Sequence, residues 1–208
     1  MTIANTMTIA EVQIVRKIVL GAATLAGVLM FALTNSRLEA ANSTHEMIEW
    51  IGIVAIVICV LGRTWASLYI AGRKIEQLVT DGPYSVMRNP LYLFSIIGAA
   101  GAGAQLGSIV AGLIFGALAW AVFHVVTLQE ERLLTERYGA AFASYVAKVP
   151  RFLPNPRLWR DVPVLTIMPP KILRTFGDAM VFLLSVPIAE GFEQLQNIGV
   201  LPILLRLP

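Results

Sequence analysis

One short polar stretch, residues 82–92, holds many of the side chains in this chain that could bind a charged ligand. It reads Gly-Pro-Tyr-Ser-Val-Met-Arg-Asn-Pro-Leu-Tyr and lies between two apolar segments. A guanidinium, an amide and two phenols at the mouth of a membrane helix suit a polar ligand, because they offer charge-assisted and neutral hydrogen bonds. These candidate binding residues are Tyr84, Arg88, Asn89 and Tyr92.

Two breaks in the chain are expected to position this stretch. Gly82-Pro83 is expected to end any helix that precedes it, because glycine frees the backbone and proline cannot donate a helical hydrogen bond. Asn89-Pro90 predicts a helix start, with the asparagine side chain capping the first amides and the proline in the first turn. Arg88 then lies at the start of the helix, on the same side as Tyr92 one turn further along.

A second polar cluster, Glu130 and Glu131, follows an apolar run. Helical spacing places His124, Thr127 and Glu131 on one face. Ionisable groups at membrane depth are costly, so they are functional candidates by default. The alternative is that the two glutamates are solvated helix-end charges paired with arginines, and that His124 is a hydrogen-bonded packing residue.

The composition is that of a membrane protein. Of the 208 residues, 57% are hydrophobic and 14% are charged, and the mean hydropathy is +0.72. These values indicate one polytopic domain with little mass outside the bilayer. The basic residues cluster beside apolar segments, which argues against nucleic-acid binding. The single cysteine, Cys59, excludes a disulfide framework or a cysteine zinc site within the chain, and we expect no metal site.

The apolar runs predict an all-α bundle of about five transmembrane helices with a cytosolic helical extension. The first four runs are residues 18–33, 47–70, 91–104 and 109–128. Residues 1–41 also resemble a cleavable signal peptide, so two interpretations of the first run stay open. Residues 172–208 predict either a fifth span followed by an interfacial segment or a re-entrant pair.

The third and fourth runs predict a close helical hairpin around the turn at residues 105–108. The pairs Gly103/Gly107 and Gly112/Gly116 are small residues four apart, which let helix backbones approach. The fourth run continues beyond the membrane as helix and ends near Gly139, a plausible C-cap. The hairpin makes the two polar clusters neighbours.

Charge counting predicts the orientation. The loops on one side of the four runs carry most of the lysines and arginines, whereas the loops on the other side carry only Arg37. By the positive-inside rule, the N-terminus, residues 82–92 and the segment after residue 128 are cytoplasmic, in an inner or cell membrane. The basic residues counted are Arg16, Lys17, Arg63, Arg73, Lys74, Arg88, Arg132, Arg137, Lys148, Arg151, Arg157 and Arg160.

Five short motifs occur in order along the chain: Gly-Pro-Tyr, Arg-Asn-Pro-x-Tyr, Glu-Glu-x-x-Leu, Tyr-Gly-x-x-Phe-x-x-Tyr and Val-Pro-Arg-x-x-Pro. Together they resemble the isoprenylcysteine carboxyl methyltransferase family, and the wider group of integral-membrane phospholipid methyltransferases is similar. The likeness covers residues 60–154, within a predicted core at 1–154. Residues 155–208, a proline-rich linker and an apolar helical tail, are expected to belong to the same domain.

The resemblance implies S-adenosylmethionine at the cytosolic face and a lipidic or lipidated acceptor that enters from the bilayer. Arg88 would bind the cofactor carboxylate, and the two glutamates its amine or hydroxyls. Leu134, with Leu133 and Tyr138, would wall the adenine, while the tyrosines of the 82–92 stretch would orient the sulfonium. The cofactor-binding candidates are therefore Tyr84, Arg88, Asn89, Tyr92, Glu130, Glu131 and Leu134.

Arg151 and Tyr92 are the candidates for catalysis. Arg151 would hold an acceptor carboxylate or phosphate, and its alternative role is that of a headgroup-facing cation. The family usually has histidine at the position of Asn89, which can exchange hydrogen bonds but cannot titrate near neutral pH. Two other functions stay open: a membrane reductase using NADPH, of sterol-reductase-like architecture, and a non-enzymatic transporter or scaffold.

Overall fold

The computed structural model describes residues 21, 25–36, 43–71 and 77–208. Almost all regular structure in these residues is helical, which confirms the predicted all-α class. Residues 25–33 are helical. The other α-helices are α1 (Ser43–Ile70), α2 (Pro83–Val86), α3 (Pro90–Ala104), α4 (Ile109–Tyr138), α5 (Ala140–Lys148), α6 (Pro169–Met180) and α7 (Ser185–Asn197). Two 3₁₀ turns, Pro156–Leu158 and Val181–Leu184, and two short strands, β1 (Thr34–Ser36) and β2 (Leu205–Leu207), complete the described part.

Three helices in the described residues are long and apolar enough to cross a membrane. They are α1 with 28 residues, α4 with 30 and the continuous stretch Pro169–Asn197 with 29. The apolar α3 is shorter, with 15 residues, where about 20 are needed to span. Residues 18–20 and 22–24 of the first predicted run, and most of the signal-peptide alternative at residues 1–41, lie outside the described residues.

The predicted hairpin of α3 and α4 is present. Ser108 caps α4, because its Oγ accepts a hydrogen bond from the Ala111 amide at 3.3 Å. A Cβ added at Gly103 would lie 2.7 Å from the Ala111 carbonyl oxygen, so the helices approach closely there. Gly107 differs from the prediction, because it has a φ of 63° and forms the turn instead of a helix contact.

The other side of α3 packs against α1. A Cβ added at Gly101 would lie 2.6 Å from the Gly52 carbonyl oxygen, and one added at Gly98 would lie 2.5 Å from the Cys59 sulfur. Cys59 is fully buried, so it serves as a small apolar residue in this contact. The short, glycine-rich α3 is therefore enclosed by α1 and α4.

The C-terminal tail runs along α1 and returns to the hairpin turn. Ala179 packs with Ile56 and Val60 of α1. At its end, β2 pairs in parallel with β1, with Thr34 opposite Leu205. This pairing was not predicted, since three residues are too few for a periodic pattern. The tail therefore runs from one end of the bundle to the other in one pass instead of forming a re-entrant pair.

A 3₁₀ turn at Val181–Leu184 interrupts the tail helix. This interruption lies in the turn before Pro187. Proline has no amide to donate to the carbonyl four residues earlier, which is that of Leu183, so the preceding turn tightens. The Ser185 amide bonds this carbonyl instead.

The fourth run continues as one helix to Tyr138, as predicted. The amide of Gly139 donates to the Thr135 carbonyl at 2.9 Å, and its φ of 48° turns the chain into α5. Phe142 and Tyr145 of α5 then form a small core with the end of α4. This core positions α5 next to residues 82–92.

Candidate active site

A cavity of about 410 Å³ lies where the C-terminal part of α1, the start of α3 and the C-terminal part of α4 meet. Residues of α5 and α6 contribute further walls. The structure thus brings the two predicted polar clusters together in one place. All seven predicted cofactor-binding residues line this cavity: Tyr84, Arg88, Asn89, Tyr92, Glu130, Glu131 and Leu134.

The 82–92 stretch is held by backbone contacts to the segment after α5. Gly82 has a φ of 57°, and a Cβ there would lie 2.2 Å from the Tyr69 ring, so only glycine fits. The Arg88 amide donates to the Pro150 carbonyl at 2.8 Å, and the Asn155 amide to the Val86 carbonyl at 2.9 Å. Residues 82–92 and the segment that contains the Val-Pro-Arg motif therefore form one local structure.

Asn89 precedes α3 and Pro90 is in its first turn, as predicted, but the predicted side-chain cap is wrong. The Asn89 Nδ2 group donates instead to the Arg151 carbonyl, at 3.4 Å. The backbone of Asn89 has φ −130° and ψ 59°, and its side chain makes no hydrogen bond to the helix amides. This amide therefore links α3 to the Val-Pro-Arg motif while also lining the cavity.

Glu131 lies between two guanidinium groups. Its two carboxylate oxygens accept from Arg151 Nε at 3.1 Å and Nη2 at 2.7 Å. Arg88 Nη1 lies 3.2 Å from Oε1, close enough for an ion pair but without hydrogen-bond geometry. The side chains of Arg88 and Glu131 are 10% and 15% exposed. Burial lowers the pKa of Arg88, yet arginine stays cationic at neutral pH.

Two of the residues to which the resemblance assigns a role lie outside the cavity lining. Arg151 faces Glu131 and does not line the cavity, and its side chain is 28% exposed. Leu133 is not a lining residue either, although its predicted partners Leu134 and Tyr138 are.

The tyrosines of the stretch have different environments. Tyr84 is buried, and its hydroxyl has no hydrogen-bond partner among the described residues. Burial raises the pKa of Tyr84 well above its usual value, so the phenol stays protonated. Its carbonyl accepts from the Tyr145 hydroxyl at 2.7 Å. The Tyr92 ring stacks on Phe123 at 4.7 Å between centroids, which joins α3 to α4 inside the cavity.

Sequence reasoning missed several lining residues. Arg63 was counted only among the basic residues of the cytoplasmic side, but it lines the cavity and donates to the Ser95 hydroxyl. An arginine in the middle of an apolar helix was the available signal. Thr175, Asp178 and Phe182 come from the tail, which carries none of the motifs.

His124 is a packing residue, although its predicted hydrogen bond is not made at Nδ1. The ring lies 5.2 Å from Trp120 and 6.3 Å from Phe152. Its Nδ1 atom is buried without a partner among the described residues. His124 does not line the cavity.

The chain is similar in sequence to known proteins over much of its length. Residues 48–141 match the phospholipid methyltransferase family. The chain is 33% identical over 158 residues to the cobalt-zinc-cadmium resistance protein CzcN of Cupriavidus metallidurans, covering 76% of this chain and 72% of that protein. It is 32% identical to the nickel-cobalt-cadmium resistance protein NccN of Alcaligenes xylosoxydans xylosoxydans, covering 76% and 74%.

A third relative is the protein-S-isoprenylcysteine O-methyltransferase of Schizosaccharomyces pombe, 33% identical over 94 residues, or 45% of this chain and 40% of that one. No solved structure matches the chain. The chain therefore belongs to the isoprenylcysteine carboxyl methyltransferase-like family of integral-membrane methyltransferases.

Proposed function

We propose that this protein transfers a methyl group from S-adenosylmethionine to a lipidic or lipidated acceptor at the cytosolic membrane face. The charge of the cavity lining carries the proposal. Among the described lining residues two are cationic, Arg63 and Arg88, and three are anionic, Glu130, Glu131 and Asp178. Walls of mixed sign suit a ligand that has a carboxylate, an ammonium and a sulfonium group.

The fit of the cofactor rests on two further observations. A volume of about 410 Å³ falls within the roughly 300–1,000 Å³ of small-molecule sites. The Tyr84 hydroxyl is buried without a partner among the described residues, and a ligand group in the cavity would satisfy it.

Each lining group has a role that its chemistry supports. Arg88 binds the cofactor carboxylate, and Glu130 binds the ammonium or the ribose hydroxyls. Glu131 lies between Arg88 and Arg151 and fixes the orientation of the Arg88 guanidinium. It also contributes to binding of the cofactor ammonium or ribose hydroxyls. Leu134 and Tyr138 provide a wall for the adenine.

The aromatic residues surround the position of the sulfonium. The faces of neutral phenol rings attract a cation, which favours Tyr92, stacked on Phe123, and the protonated Tyr84. S-adenosylmethionine supplies an electrophilic methyl group on sulfur. The protein's part is positioning and exclusion of water, since in-line displacement needs close alignment.

Arg151 is the residue proposed to hold the acceptor. Its two-pronged contact with Glu131 directs the guanidinium, while more than a quarter of the side chain remains exposed. A carboxylate acceptor needs no general base, whereas an amine acceptor must lose a proton. The metal-resistance names of two relatives describe a cellular property and are compatible with an enzyme that modifies a membrane component.

The competing cofactor is NADPH, whose phosphates carry several negative charges. The described part of the lining, with three carboxylates and two guanidiniums, does not favour such a ligand. Calorimetric titration of the purified protein with S-adenosylhomocysteine and with NADPH distinguishes the two cofactor hypotheses. We expect binding of the first only, at least tenfold weaker in Glu131→Gln and unchanged in Glu136→Gln, which is exposed on the same helix.

Transfer itself is measured with methyl-labelled S-adenosylmethionine and a membrane lipid extract, followed by separation of lipid from protein. Label in neither fraction, together with no binding of S-adenosylhomocysteine, would favour a transporter or scaffold. Binding of NADPH alone would favour the reductase.

A further inference from the structure

A second polar cluster lies at the opposite end of the bundle from the cavity. His45 and Glu49 are one turn apart near the start of α1, and Glu193 approaches them from α7. One ligand atom from each lies within 4.8 Å of the other two. His45 precedes Arg63 of the cavity by 18 residues, which is roughly 27 Å of helix. This cluster is therefore separate from the methyltransferase site.

The imidazole of His45 is fixed in place. It is 3% exposed, and a Cβ added at Gly107 would lie 2.0 Å from its Cε1 and 2.1 Å from its Nδ1. The backbone of the α3–α4 turn thus rests directly on the ring. A ring held by its surroundings loses little freedom when it binds a ligand.

The polar atoms of this cluster are not fully satisfied. His45 Nε2 contacts Glu49 Oε1 at 3.2 Å, but Nδ1 is buried without a partner among the described residues. No arginine or lysine in the described part of the chain forms an ion pair with Glu49 or Glu193. Among the described residues, two carboxylates beside one imidazole leave a net negative charge that a cation would balance.

The dimensions suit a metal ion. A small void of about 10 Å³ adjoins His45 and Glu193 but is not lined by Glu49; its volume is about that of one water-sized sphere. Two ligand atoms at ~2.0–2.1 Å from Zn²⁺ and at the tetrahedral angle lie roughly 3.3 Å apart. The Nε2–Oε1 distance is 3.2 Å.

We propose that His45, Glu49 and Glu193 bind one divalent transition-metal ion of the Zn²⁺ type. One imidazole and two carboxylates suit Zn²⁺ or Co²⁺ better than Ca²⁺, which prefers six or more oxygen ligands. The ion ties α1 to the tail helix at the face opposite the cavity. No metal site was expected from the sequence, because the chain has a single cysteine. Glu193 is far from His45 and Glu49 in the sequence and on a different helix, and only the fold brings the three proposed ligands together.

The test uses the full chain, purified in detergent and freed of metal with a chelator. Calorimetric titration with ZnCl₂ and absorption spectra with Co²⁺ should show one bound ion and visible bands of four-coordinate Co²⁺. Glu193 is only half-buried, so Glu193→Gln is expected to fold and to weaken binding at least tenfold. Glu190, exposed on the same helix, acts on Glu49 only through its charge, so Glu190→Gln should weaken binding much less than Glu193→Gln does.

The two histidines of the chain provide a second matched pair. His45→Gln should lose binding, whereas His124→Gln should keep it. Absence of a bound ion in the wild type overturns the proposal, as does equal affinity in Glu193→Gln and Glu190→Gln. Equal affinity for CaCl₂ and ZnCl₂ overturns the Zn²⁺-type assignment. Titration with S-adenosylhomocysteine should give the wild-type result in Glu193→Gln, so a failure here is separable from one at the cavity.

Discussion

Arg151 donates to both carboxylate oxygens of Glu131, at 3.1 and 2.7 Å. This two-pronged contact joins the last motif of the chain to the end of α4. Because Arg88 approaches the same carboxylate from residues 82–92, Glu131 couples three separate segments. The cavity wall on this side is therefore positioned by charge as well as by packing.

Arg151→Lys tests that coupling. Lysine keeps the charge but cannot make both hydrogen bonds, so we expect a loss of about 1 kcal/mol in the free energy of unfolding. If Arg151 holds the acceptor, the KM for the acceptor rises about tenfold while the affinity for S-adenosylhomocysteine stays within twofold. Steady-state kinetics and calorimetry measure both. Arg157→Lys, at an exposed position, is the control; equal kinetics in the two variants would contradict the assigned role.

Tyr84→Phe separates stability from binding. The hydroxyl is buried without a partner among the described residues, so its removal should leave stability unchanged or raise it by about 1 kcal/mol. Affinity for S-adenosylhomocysteine should fall about tenfold if the hydroxyl meets the ligand. Thermal unfolding and calorimetry give the two values. Unchanged affinity would show that this hydroxyl does not contact the ligand.

Gly107→Ala should strongly destabilise the fold. The position has a φ of 63°, and the new methyl would collide with the His45 ring. We expect a loss of about 3 kcal/mol or more, from strain and overpacking together. Gly177→Ala is the matched control. It lies inside α6 with no atom within 4 Å of the added Cβ, and should gain about 1 kcal/mol. Similar melting temperatures in the two variants would contradict this account.

Stability should fall in alkaline solution. Burial raises the pKa values of Tyr84 and Tyr145 above the usual value, so the folded chain keeps protons that the unfolded chain releases above pH of about 10. The stabilisation of the fold by these two protonated tyrosines is therefore complete below this pH and is lost as the pH rises further. Thermal unfolding between pH 8 and 11 should show a shallower alkaline decline in Tyr145→Phe than in the wild type. Parallel curves would be inconsistent with a raised pKa at this residue.

Labelling in intact cells tests the predicted orientation. Cys59 is fully buried, so the wild type should not react with a membrane-impermeant maleimide. Val200→Cys, exposed on the face opposite the cavity, should react from outside. Glu136→Cys, exposed beyond the cavity end of α4, should react only after permeabilisation. The reverse pattern would place the cavity outside the cytoplasm.

Local patterns predicted the parts of the fold that depend on neighbouring residues. The turn at residues 105–108, the helix start at Pro90 and the helix end at Gly139 each follow from the residues present there. The meeting of Arg88 with Glu131 followed from the hairpin and the motifs. What these patterns did not show was the direction of each side chain, as at Arg63 and Asn89.

Contacts between distant segments were beyond sequence reasoning. His45 and Glu193 meet because the tail helix packs along α1, and no periodicity in either segment specifies this partner. The β1–β2 pair is similar, since its three-residue strands become regular only when they pair. Packing of one helix on another decides such contacts.

The walls of the cavity come from parts of the chain with different sequence constraints. Thr175, Asp178 and Phe182 belong to the tail, outside the residues that match the family. Substitutions in that helix can change the shape and charge of one wall without disturbing Arg88, Glu131 or the segment that holds them. Exchanging tails between relatives is therefore a route to a cavity with one altered wall around the same Arg88 and Glu131.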